Sequence, residues 1–218
     1  MPRTGSAVRA KSIYSVHPGV QMVQDWILRL SQKTGRLLDE WVDLVKKDGP
    51  STEKERREWL KKEHQLGTNS AWWIAERAEG KGTETDDPER YLEAAAQYVE
   101  AMFRGPKAAL RPIYDALLRL GLSLGKDVKA CPCQTIVPFY RQHVFAQIKP
   151  ATQSRIDLGL ALKDTKPLQG TAGGNTRLID TGGFAKKDRI THRIAITKLA
   201  DIDDEVKRWL RAAYELDA

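Results

Sequence analysis

Two cysteines stand one residue apart, Cys131-Pro132-Cys133, with His143 and His192 further along the chain. Thiolates and imidazoles are the usual ligands of zinc, but zinc sites place two to four residues between paired cysteines. A single intervening proline therefore argues against a metal or redox centre, and no cofactor is expected. A second set is Asp157 followed by Asp164-Thr165-Lys166. Metal-dependent nucleases need carboxylates that converge on magnesium and a lysine for developing charge. Here the Asp-x-Lys triplet falls where a strand enters a glycine-rich stretch, and three-residue patterns arise readily by chance. The expectation is that no activity depends on Asp157, Asp164 or Lys166; a magnesium-dependent nuclease is the alternative. Gly170-Thr171-Ala172-Gly173-Gly174 and Thr181-Gly182-Gly183 lack a following Gly-Lys-Ser/Thr and make no phosphate-binding P-loop. They read as a long mobile hairpin within 163–184.

The third set is cationic. Residues 107–200 carry 16 Lys and Arg against 6 Asp and Glu, whereas residues 1–106 carry 17 of each and residues 201–218 carry 3 against 6. The chain's surplus of +7 thus belongs to one region, and a local basic surplus is the footprint of an anionic partner. Within that region Tyr140, Arg141, Lys149, Arg155 and Arg193 are the candidate ligand-binding residues. Arginine grips two oxygens of a carboxylate or phosphate at once. Asp157, in the row of Arg155, offsets part of this field.

The elements that must position these residues follow from periodicity. Ile156, Leu158, Leu160 and Leu162 alternate with Arg155, Asp157, Gly159 and Ala161, the pattern of a half-buried strand. Together with 136–141, 144–149 and 191–197, this predicts an antiparallel sheet of four or more strands with one face on a core. Arg155, Asp157, Thr191, Arg193, Gln147 and Lys149 then fall on the open face, with Tyr140 and Phe145 nearby and Arg141 and His143 at a turn. Helices surround this block. Pro18-Gly19 opens one, Thr34-Gly35 precedes a second, and Thr52 with Glu55 makes a capping box for a third that ends at Gly67. Thr68 or Asn69 caps a fourth. Asp87-Pro88 starts another, a further helix covers about 107–124, and Asp201 caps the last. Five of the six tryptophans lie between Trp26 and Trp73, where a small helical unit needs large side chains for its core.

The fold class is therefore α+β, a helical module followed by an antiparallel sheet flanked by helices. The expected organisation is a disordered arm at 1–17, a helical module at 18–80, a linker at 81–87 and an α+β domain at 88–218. No run of eighteen apolar residues is present, so no membrane partner is expected. No secretory signal is read at the start, and a cytoplasmic location follows.

Thr34-Gly35, Glu40-Trp41, Trp59-Leu60-Lys61, Glu63-His64 and Leu66-Gly67 resemble a small helical domain of unknown function from uncharacterised bacterial proteins. The second half resembles the α+β domain that often follows it. The matching pieces there include Phe145-Ala146-Gln147-Ile148-Lys149-Pro150, Leu158-Gly159-Leu160, Gly182-Gly183, Thr191-His192-Arg193 and Trp209-Leu210. The family carries the loose label of predicted transport protein. The first match departs from its usual pattern where Gln65 replaces a glycine and Thr68-Asn69 a Gly-His type of pair. No catalytic residue comes with the resemblance. The functional expectation is a non-enzymatic binding module whose basic sheet face takes an anionic ligand or nucleic acid. A structural protein–protein interaction module is the other alternative, and the sequence does not identify its protein partner.

Overall fold

The structure is a computed structural model that describes residues 12–165 and 176–218. The chain divides into two compact units, 16–94 and 95–218, the latter joined by the residues up to Ser15.

The first unit contains α1 (Pro18–Thr34), α2 (Leu38–Asp48), α3 (Glu53–Lys62), α4 (Thr68–Ala78) and the start of α5 (Pro88–Met102). His17 caps α1, its Nδ1 accepting the Gly19 N–H at 2.9 Å. Gly35, at φ 67°, ends the helix in the left-handed conformation that only glycine adopts freely. The expected box at α3 is present: Thr52 and Glu55 satisfy each other's backbone N–H groups. Val23, Trp26, Leu30, Trp41, Val45, Leu60, Ile74 and Ala75 form the core of this unit. Two local expectations change. Helix α3 stops at Lys62, and residues 63–67 form a turn in which Gln65 takes φ 54°. Glycine meets no steric penalty there, which accounts for the glycine of the related pattern. Helix α4 is capped by Gly67 without a side-chain hydrogen bond, not by Thr68 or Asn69. In the stretch 81–87, Thr83–Thr85 form a 3₁₀ turn and Asp86 pairs with Arg77 at 2.7 Å.

The second unit has the expected α+β architecture. Strands β1 (Lys129–Ala130), β2 (Val137–Tyr140), β3 (Val144–Pro150), β4 (Ile156–Leu160), β5 (Ile179–Asp180) and β6 (His192–Ile196) form one six-stranded sheet in the order β1-β2-β3-β4-β6-β5. Every pairing is antiparallel. Ile148, Leu158 and Ile194 lie abreast on adjacent strands and are fully buried. Burial of each such side chain contributes about 2 kcal/mol. Their core is completed by α6 (Arg111–Leu122) and α7 (Asp204–Glu215) through Tyr114, Leu117, Val206 and Leu210. Gly121 on α6 lets the Phe139 ring approach, since a Cβ there would stand 2.4 Å from Phe139 Cζ. The expected helix over 107–124 is split into a 3₁₀ stretch, Gly105–Leu110, and α6. Asp203, not Asp201, caps α7; Asp201 instead accepts the backbone N–H groups of Thr197 and Lys198. The two acids stand two residues apart, and only packing decides which one the helix uses.

Of the expected arm at 1–17, residues 1–11 lie outside the described residues. Ser15 donates its N–H to Ala130 O at 2.9 Å, and the Tyr14 and Tyr114 hydroxyls are 3.0 Å apart. The glycine cluster 170–174 also lies outside them. Beyond it, Arg177 returns the chain to α7 by pairing with Glu205 and Asp203. No helix among the described residues is long and apolar enough to cross a membrane.

Candidate anion-binding surface

The face of the sheet away from α6 and α7 presents Gln147 and Lys149 from β3, Asp157 and Gly159 from β4, and Arg193 and Ala195 from β6, as cross-strand register requires. Part of this face is covered. Ile190 and Gln147 lie over Gly159 so closely that a Cβ there would be 2.8 and 2.9 Å from them.

Of the five candidate residues, Arg155 and Arg193 are brought together by one carboxylate. Asp157 lies 2.9 Å from Arg155 Nε and 3.2 Å from Arg193 Nη1. Three charges on one patch thus leave a net of one. Lys149 is exposed and sits directly across from Asp157 in the register. Arg141 belongs to a separate cluster at the β2–β3 turn. Its Nε lies 2.7 Å from Asp127, and its guanidinium stands 4.5 Å over the Tyr214 ring. Hydrogen bonds from Arg141 and Tyr214 hold the Asp127 carboxyl below its ordinary range. Tyr140 is half-buried near Cys131 and Cys133, and burial pushes its phenol up to about 12. Phe145, expected near the open face, is instead fully buried. The β2–β3 register shifts between Phe139 and Tyr140, and this bulge interrupts the alternation. Phe145 packs on Phe139 and meets the Tyr214 ring edge-on.

Among the described residues, the sulfur and carboxylate sets do not come together as a metal-ligand cluster. Burial pushes the Cys131 thiol up to about 12 and raises that of Cys133, the opposite of what a thiolate nucleophile needs. His143 is held by Asp217, and His192 by Thr191. Among the described residues no group of three His, Cys, Asp or Glu could hold a metal ion. Asp157 is engaged by its two arginines, Asp164 is exposed in the turn after β4, and Lys166 lies outside the described residues.

At the β3 end of the sheet, Lys149 joins a second group that periodicity did not reveal. A hollow of about 580 Å³ is lined by Arg104, Lys107, Lys149, Gln134, Thr135 and Gln153, with apolar contacts from Met102 and Pro106. Lys107 Nζ donates to Pro150 O at 2.7 Å, which fixes it at the rim. No carboxylate is among the described residues that line the hollow, and neither Arg104 nor Lys149 makes an ion pair among the described residues. Arg104 follows α5, Gln134 and Thr135 precede β2, and Gln153 belongs to the β3–β4 turn. The one sequence signal for it is the pair of cations, Arg104 and Lys107, that flank Gly105-Pro106.

The family described as Domain of unknown function (DUF4287) matches residues 23–80, the first unit's helices. No curated protein and no solved structure matches the chain. The family described as Domain of unknown function (DUF5655) matches residues 99–217, the sheet with its helices and the basic hollow, and the chain belongs to that family.

Proposed function

We propose that this protein is a binding module rather than an enzyme, and that its sheet-containing unit takes an anionic ligand in the hollow between Arg104, Lys107 and Lys149. The observation that carries this reading is a concave site with three cations and no carboxylate among its described lining residues. Cations gathered in a concavity, without an acid to neutralise them, repel one another until an anion enters. Gln134, Thr135 and Gln153 add neutral groups that can complete the hydrogen bonding of phosphate or carboxylate oxygens. Arg155 and Arg193 are the flank that a longer polyanion would reach, with their field weakened by Asp157. Tyr140 and Arg141 have no part in this reading, because Arg141 is already committed to Asp127.

The test is calorimetric titration of the full chain with inorganic phosphate and pyrophosphate, and with a labelled single-stranded oligonucleotide at two salt concentrations. Exposed charge-assisted contacts contribute on the order of 1 kcal/mol each, so Arg104→Ala/Lys149→Ala should weaken binding about tenfold or more. Oligonucleotide affinity should fall as salt rises. Absence of binding at low salt, or affinity untouched in the double variant, overturns the reading.

A further inference from the structure

We infer that the helical unit carries a second ligand site, for a planar aromatic ring bearing an anionic group, of which a nucleoside monophosphate is the fitting example. It lies in a cleft of about 840 Å³ between α1, α2 and the α3–α4 turn. That volume is within the range of small-molecule sites, roughly 300–1,000 Å³. The cleft is separate in the chain from the hollow beside the sheet, and the inference does not depend on that hollow.

Three observations converge. The first is aromatic lining: Trp26, Trp41, Trp73 and His64 border the cleft. Trp26 and Trp73 meet edge-on at 4.6 Å, and His64 meets Trp41 edge-on at 5.3 Å. The Trp26 and Trp41 indole N–H groups are bound to Ser70 Oγ and Thr34 Oγ1 and both rings belong to the buried core, so the half-buried Trp73 and His64 supply the accessible aromatic surface.

The second is charge. Arg29, Lys33 and Arg36 line the same cleft, and no carboxylate is among its described lining residues. None of these three cations makes an ion pair among the described residues. The Arg36 guanidinium stands 4.8 Å over the Trp41 ring, held by the ring instead of by an acid. Its planar fork is thereby ordered while its N–H donors remain available to an anion.

The third is an unfulfilled polar atom beside a strained residue. His64 Nε2 is buried and has no hydrogen-bond partner among the described residues. Buried polar nitrogens are nearly always paired, and the described residues supply this one with no partner. The next residue, Gln65, holds the left-handed conformation at φ 54°, and its side chain is exposed at the cleft. Backbone strain of this kind collects at ligand sites. Gln65 and Asn69 supply amides that can read the edge of a heteroaromatic ring. A ring-bearing anion satisfies all three features at once, whereas a bare anion leaves the aromatic lining unused and a neutral ring leaves the cations unpaired.

The experiment follows tryptophan fluorescence of the full chain, since five of its six tryptophans lie in the helical unit. The probes are adenosine 5′-monophosphate, adenosine and inorganic phosphate. The expected result is saturable quenching by adenosine monophosphate, at least tenfold tighter than by adenosine or phosphate. Lys33→Ala/Arg36→Ala, which alters only cleft-rim side chains outside the core, should weaken it at least tenfold, and Arg104→Ala/Lys149→Ala should leave it unchanged. No saturable response to the nucleotide, or an equal response to phosphate or to adenosine, overturns the inference. So does nucleotide binding lost only in the Arg104/Lys149 variant, an outcome that leaves the sheet-unit reading intact.

Discussion

Asp157 on β4 holds Arg193 on β6 at 3.2 Å although the two are not paired residues; Arg193 lies opposite Gly159. The contact is a diagonal one, and Asp157 reaches Arg155 as well. A single carboxylate therefore sets how much positive field the open face shows. Asp157→Asn should free both guanidiniums. Oligonucleotide affinity at low salt should rise about fivefold, the worth of one unit charge near 4 Å in water. Stability should fall by about 1 kcal/mol as the partly exposed pairs are lost. Titration of the variant beside the wild type decides it, and an unchanged affinity would exclude Arg155 and Arg193 from the interface.

Asp217 is buried and receives the Arg189 guanidinium, the His143 N–H at 2.8 Å and an imidazole contact at 3.2 Å. These contacts tie the end of α7 to the β2–β3 turn and the loop before β6. Removing the carboxylate leaves several donors without an acceptor. Asp217→Ala should cost about 2–3 kcal/mol, somewhat less than breaking a fully buried pair because Arg189 is half-exposed. Urea unfolding followed by far-ultraviolet circular dichroism measures this directly. A loss below 0.5 kcal/mol would show the contacts to be incidental.

His17 caps α1 through a neutral imidazole nitrogen, and burial lowers its pKa from the ordinary 6.5. The unfolded chain then binds the proton more readily than the folded one. Stability from this group is therefore present above 6.5 and is lost as the pH falls through the window below it. His17→Asn keeps a cap acceptor that does not titrate. Unfolding midpoints measured from pH 7.5 to 5 should decline less steeply in this variant. Parallel declines would assign the acid sensitivity to other groups.

Gln65 at φ 54° bears a steric penalty that glycine escapes, against glycine's greater entropy when unfolded. Gln65→Gly should raise stability by about 0.5–1 kcal/mol. Tryptophan fluorescence in a urea series will show the shift, because Trp59 lies next to His64 in this turn. A lowered midpoint would mean that the Gln65 side chain contributes more than the strain removes.

The sequence alone determined whatever depends on neighbours along the chain. Ile156, Leu158 and Leu160 alternate because a strand sends successive side chains to opposite faces, and all three are fully buried. Thr52 and Glu55 cap α3 because the box needs only residues three apart. From such local rules came the α+β class and the sheet face that carries Lys149, Arg155 and Arg193. Tertiary structure decided what depends on residues distant in sequence. The β2–β3 bulge turned Phe145 into the core, against the alternation around it. Asp157 claimed Arg193 from another strand, and Asp127 claimed Arg141 from 14 residues away. The basic hollow joined Arg104, Gln134, Lys149 and Gln153 from four separate places. Periodicity reports which face a side chain takes, but whether its charge is free depends on partners that only folding brings within a few ångströms.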